Sequence, residues 1–121
     1  MATPTLLAGV LLAALMPTPV AVVRSGDDPQ AARITDAIET AFQNAPAFRL
    51  TTARLPGMIL VVVQPGSVVM QPDGGRNRMS ATVALAKAPS DRLQITGTVQ
   101  CWDDNLSLCG AGAVAMAARL R

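Results

Sequence analysis

The 121-residue chain contains no histidine and no tyrosine. It has one tryptophan, two phenylalanines and two cysteines. Without an imidazole, a Ser–His–Asp catalytic arrangement is excluded, and two cysteines alone are too few ligands for a closed zinc site. Three aromatic rings are also too few for a base-stacking nucleic-acid platform. Charge of one sign is missing as well: ten Lys/Arg oppose eight Asp/Glu, a formal charge of +2. A nucleic-acid partner needs a basic stripe, which this balance argues against. No metal and no cofactor are expected from these residue types. Of the ten cations only Lys87 is a lysine. An arginine-rich set reads as the codon bias of a GC-rich genome before it reads as an anion-recognition device.

Half of the residues are apolar, and they are unevenly spread. Residues 1–23 carry no charged side chain, and Leu6 to Met16 (LLAGVLLAALM) is an uninterrupted apolar run. Its length suits the core of a signal peptide, and Pro17 and Pro19 then break any helix. The sequence therefore predicts a removed leader over 1–25, with cleavage after Ala21 or, better, after Ser25, and a single domain over 26–121. No cysteine stands at the junction to accept a lipid, and no arginine pair precedes the apolar run. The expected route is the general secretory one, to the periplasm or the extracellular space, with no membrane span left after processing.

Asp28-Pro29 is a helix start, an N-cap followed by proline at the first helical position. Ala31, Ile34, Ile38, Ala41, Phe42 and Ala45 recur at three- and four-residue steps, which predicts an amphipathic helix over 29–44. Phe48, Leu50 and Thr52 alternate with polar neighbours as in a strand. Met58 to Val63 is a β-branched run suited to a buried strand. Pro65-Gly66 interrupts it, and Ser67–Met70 resumes it after a bulge. Gln71 to Arg78 reads as a polar connection. Met79 to Ala86 and Leu93 to Cys101 each alternate, the second with Gln94, Thr96, Thr98 and Gln100 as a wholly uncharged polar face. Asp103 or Asp104 is expected to cap a last helix that carries Leu106, Cys109, Ala113, Met116, Ala117 and Leu120 inward.

The order helix, three or four antiparallel strands, helix predicts an α+β two-layer sandwich with both helices on one face of the sheet. In element order the chain resembles small modules of bacterial envelope proteins, such as the N-terminal domain of the TolB type. That likeness is one of order, and no functional residue follows from it.

Cys101 and Cys109 form an even pair in a chain read as exported, which predicts a disulfide. Closing so short a loop is worth about 2.5 kcal/mol in the chain-entropy model. The C-x7-C spacing and the absence of a neighbouring Lys or His give no reason for redox chemistry. Candidate binding residues are the Gln94, Thr96, Thr98, Gln100 ladder, Trp102 as an interface anchor, and Arg76 and Arg78 as anion-gripping forks. No catalytic residue is assigned. The expected function is a small exported, disulfide-stabilised, non-catalytic module that binds a protein or a cell-wall component. Two alternatives share the same features: an inhibitor or immunity protein against an envelope enzyme, and a carboxylate-only hydrolase using Asp103 or Asp104 with Asp91.

Overall fold

The computed structural model describes residues 16–24, 26–88 and 95–121. The chain runs β1 (Thr18–Val23), α1 (Pro29–Gln43), β2 (Phe48–Leu50), β3 (Ile59–Val63), β4 (Val69–Asp73), β5 (Arg76–Lys87), β6 (Ile95–Trp102) and α2 (Ser107–Ala118). The described residues form an α+β arrangement of two helices and one mixed sheet.

The sheet departs from the expected three or four antiparallel strands because of β1. Thr18–Val23 lies in the stretch read as the end of the leader, yet it pairs in parallel with β2 on one side and with β3 on the other. Its Val20 is fully buried. The sequence TPVAVV hides a strand because a proline stands in it and its partners are remote. Pro19 is tolerated for a geometric reason. Thr18 donates its N–H to the Ala47 carbonyl and the Val20 carbonyl accepts from Thr51 N, both at 2.9 Å, so even-numbered residues of β1 turn toward β2. The odd-numbered Pro19 turns toward β3, whose pairing begins only at Val20↔Ile59. No ladder bond is lost to the missing N–H.

α1 begins as the sequence predicts. Asp28 caps it, accepting from Gln30 N at 2.9 Å, with proline in the first turn. Ala31, Ile34, Ile38 and Phe42 are buried, and Phe42 meets Phe48 of β2 edge-on at 5.1 Å. The crossover from β1 through α1 to the parallel β2 is what reverses the expected orientation of β2, since parallel neighbours need a long connection and antiparallel ones a short turn.

β5 organises the other half. β6 pairs along one edge of it from Arg78↔Trp102 to Leu85↔Ile95. β3 and β4 share its other edge, in succession: Val63 stands opposite Val83, and Val69 opposite Ser80. The interruption at Pro65-Gly66 is wider than the expected bulge: residues 64–68 stand against only Ala81 and Thr82, and pairing resumes at Val69 rather than at Ser67. The Ser67 hydroxyl fastens it, donating to the Gln64 carbonyl at 2.7 Å and accepting from Thr82 N at 3.1 Å.

Gln71 to Arg78 is not a loose polar connection. β4 and β5 run on to Asp73↔Arg76, leaving only Gly74-Gly75 between them. Both glycines have positive φ, +59° and +85°, which a two-residue hairpin turn of the right twist requires. Arg76 and Arg78 consequently sit on a strand.

The buried cluster takes Val20, Ile59, Val61, Val63, Met79, Ala81, Val83, Leu85, Val99 and Cys101 from the sheet and Ile34, Ile38, Phe42, Cys109, Ala113 and Ala117 from the helices. α2 comes close to α1 because position 110 is glycine. A Cβ there would lie 2.6 Å from the Ala37 carbonyl oxygen and 2.8 Å from the Ala41 Cβ. Gly112 lets Val99 of β6 approach: a Cβ would stand 3.0 Å from its Cγ1. No described helix is long and apolar enough to cross a membrane.

Candidate functional site

Cys101 ends the inward-facing series of β6 and Cys109 lies in the first turn of α2. They form a disulfide with a Cα–Cα distance of 5.2 Å. Both are buried, so the bond staples strand to helix and presents no accessible sulfur. The segment it closes carries the site.

Alternate residues of adjacent strands share a face. In the β5–β6 register Arg78 stands opposite Trp102, Ser80 opposite Gln100, Thr82 opposite Thr98 and Ala84 opposite Thr96. Arg76 is two residues before Arg78 and shares its face. The residues singled out from three separate sequence signals thus form one continuous surface: Arg76, Arg78, Gln100, Trp102, Thr98 and Thr96. Thr96, Thr98 and Gln100 are exposed. Gln94, the remaining member of the ladder, lies outside the described residues, as does Asp91.

Trp102 is the centre of this surface. The Arg76 guanidinium carbon sits 4.2 Å from the ring centroid and that of Arg78 5.5 Å away. Such contacts are worth about 0.5–1 kcal/mol each at exposed positions. Around the ring the charges are matched. Arg76 pairs with Asp104 at 2.6 Å, Arg78 with Asp73 at 2.6 Å, and Arg33 of α1 with Asp103 at 2.5 Å. Arg33 also donates to the Asp103 carbonyl oxygen at 2.8 Å. The hydrogen bond from Arg76 holds the Asp104 carboxyl below its ordinary value of 3.8.

Asp103 and Asp104 therefore do not cap α2, contrary to expectation. The helix starts later, at Ser107. The chain first makes a tight turn, with Asn105 N donating to the Trp102 carbonyl at 2.9 Å. The Asn105 side chain then accepts from Ser107 N and from the Ser107 hydroxyl, at 3.3 and 2.6 Å. That frees both carboxylates for arginines. For Asp104 the shift runs opposite to the raised pKa that a general acid needs.

The arrangement presents a half-buried indole with the Arg76 guanidinium over one face, carboxylates beside it, and a continuing field of hydroxyls and an amide. The arginine–carboxylate pairs are exposed and individually weak, so a partner with its own carboxylates, phosphates or hydroxyls can exchange with them. Arg33 and Asp73 were not foreseen as part of the site. The Asp73–Arg78 pair was readable once Gly74-Gly75 is taken as a hairpin turn. Arg33 meets Asp103 across 70 positions of sequence, and nothing local signals it.

No known protein family and no curated protein matches the chain in sequence. Solved structures do match in fold. A PelC dodecamer from Paraburkholderia phytofirmans is 15% identical, with a TM-score of 0.50 over 86% of this chain and 88% of that one. A single-residue variant of the same PelC dodecamer is 14% identical, also with a TM-score of 0.50, over 88% of this chain and 87% of that one. A minor lipoprotein from Acinetobacter baumannii is 12% identical, with a TM-score of 0.43 over 88% of this chain and 92% of that one. At these identities the two PelC structures speak for the fold, a small α+β chain built round a mixed sheet.

Proposed function

We propose that the protein is a small exported, non-catalytic binding module of the bacterial envelope, and that it engages a protein or a cell-wall component through the surface of Trp102, Arg76, Arg78, Thr96, Thr98 and Gln100. The observation that carries this reading is the convergence of two guanidiniums on one indole beside an uncharged polar ladder. Indole and guanidinium groups dominate binding hot spots, and amides and hydroxyls add recognition without a charge penalty.

In this reading the chain is a two-layer sandwich with both helices on one face, leaving the Trp102 surface open. The direct approach of α2 to α1 at Gly110 and the shared buried cluster support that arrangement. The apolar start of the chain serves as the export leader. Processing ahead of Thr18 keeps β1, whereas cleavage after Ala21 or Ser25 would cut the sheet's parallel centre.

The test is native mass spectrometry of the protein isolated from its own envelope, with and without reductant, beside Trp102→Ala and Arg76→Ala variants of unchanged melting temperature. We expect an oxidised protein, processed before residue 18, with a co-purifying partner that both variants lose. Retention of that partner by both variants would remove the surface assignment. Full-length protein with free thiols in the cytosol would remove the export reading. The same spectra read self-association, which is the state of the PelC proteins in their crystals.

A further inference from the structure

β1 is paired unevenly. Its ladder with β3 reaches Val23↔Val62, but its ladder with β2 stops at Val20↔Leu50. The even-numbered residues of β1 turn their backbone groups toward β2, as the Thr18 and Val20 bonds show. Val22 is next in that series. Its N–H and C=O point to where β2 has already ended, and no described residue continues the ladder there.

A cleft of about 480 Å³ occupies that place, lined by Val22, Glu39, Leu50, Thr51 and Thr52. It lies at the carboxyl ends of two parallel strands, with the helix that connects them alongside. The lining is chemically mixed. Val22 and Leu50 are apolar, Thr51 and Thr52 bring hydroxyls, and Glu39 brings a carboxylate whose side chain is 33% exposed. Arg24 hydrogen-bonds Asp36 and forms a looser ion pair with Glu39 at 3.8 Å, without a hydrogen bond, so a ligand ammonium would share Glu39 with it. The Thr51 hydroxyl accepts from Ala53 N at 3.1 Å, which fixes the rim.

We infer that this cleft is a binding site for the amino end of a peptide or a peptide-like amine. The ammonium pairs with Glu39. The first amide pairs with the backbone of Val22 as a short added strand, and the first side chain rests on Leu50. The site is independent of the Trp102 surface, since β3 and β5 separate β1 from β6 in the sheet.

The experiment is an amide-NMR titration of the ¹⁵N-labelled full chain with leucyl-alanine amide, and separately with its N-acetylated form. The expected result is a saturable shift of the Val22, Glu39, Leu50, Thr51 and Thr52 amides with a dissociation constant on the order of millimolar. Acetylation removes the ammonium and weakens binding roughly tenfold or more, the usual cost of a charge-assisted hydrogen bond. Glu39→Gln, an isosteric change at a partly exposed position, produces the same loss while the remaining amides keep their positions. Thr52→Val weakens binding less. Equal binding of the acetylated ligand overturns the inference, as do shifts centred elsewhere or no saturable shift up to about 20 mM.

Discussion

The sheet joins two halves built on different physical terms. In the parallel half, β1 to β3 with α1, pairing connects residues far apart in sequence: Val20 meets both Leu50 and Ile59. Nothing covalent holds it, and its stability comes from burying Val20, Ile34, Ile38, Phe42, Ile59 and Val61. In the other half, β4 to β6 with α2, the hairpin is closed by two glycines and the last strand is tied to its helix by a disulfide eight positions long. Local contacts cost little loop entropy to form, whereas remote ones must be repaid by burial. The halves should therefore fail in different ways.

The largest effect is expected from cutting the parallel half. Removing residues 1–15 should leave a cooperatively melting fold by circular dichroism. Removing 1–25 deletes the strand between β2 and β3 and should abolish the melting transition altogether. A cooperative transition in the shorter chain would show that β1 is dispensable and that the two halves are less different than argued.

The next effect belongs to the other half. Replacing Cys101 and Cys109 together by alanine should cost about 2.5 kcal/mol from loop closure. For a domain of this size that lowers the melting temperature by roughly 10–20 °C. The Trp102 surface should loosen with it, since Cys101 precedes the indole directly. A loss below about 1 kcal/mol would mean that the packing of Met79, Val99 and Ala113 already fixes α2 without the bond.

The seam between the halves is tested at Gly110. Adding a methyl group there forces it against the Ala37 carbonyl and the Ala41 side chain. Backbone cannot step aside as a side-chain tip can, so Gly110→Ala should destabilise by about 1–3 kcal/mol despite alanine's better helix propensity. Gly97→Ala is the contrast: its added Cβ meets only the flexible end of Met116 at 2.9 Å. It should cost clearly less in the same thermal melts. Equal losses would mean that α1 and α2 can slide apart.

The same division explains what was legible in the sequence. Alternation over 95–101, the interruption at Pro65-Gly66 and the cysteine pair are legible because each is decided by neighbours or by a short loop. Asp28-Pro29 named the start of α1 for the same reason. β1 was not readable. Its six residues form no alternating pattern, its proline argues against a strand, and its partners lie 30 and 39 positions away. The antiparallel expectation failed with it, because the orientation of β2 depends on where β1 lies. In the site, Trp102, Arg76, Arg78 and the threonine ladder were visible one by one, but their union depends on the β5–β6 register. The aspartates do not cap α2 because the tight turn at Trp102–Asn105 delays the helix by a turn, leaving Leu106 at the N-cap position and the Asn105 side chain on Ser107.

The smallest predicted effect is confined to the Trp102 surface and separates its electrostatics from the fold beneath it. Arg76 holds the Asp104 carboxyl below its ordinary value, chiefly through their hydrogen bond. A depressed carboxylate favours the folded arrangement above the ordinary value and loses that contribution as pH falls through the lower, folded one. The window therefore opens below pH 3.8. Both partners are solvent-exposed, so global stability should barely respond. The indole should respond more, because an Arg76 released from Asp104 is no longer held 4.2 Å from the ring. Trp102 is the chain's one tryptophan, so its fluorescence reports the change directly. We expect an emission shift on acidification below that value, before far-ultraviolet circular dichroism changes, and a smaller shift in Asp104→Asn. If emission and circular dichroism move together, the surface has no titration of its own and yields only when the parallel half unfolds.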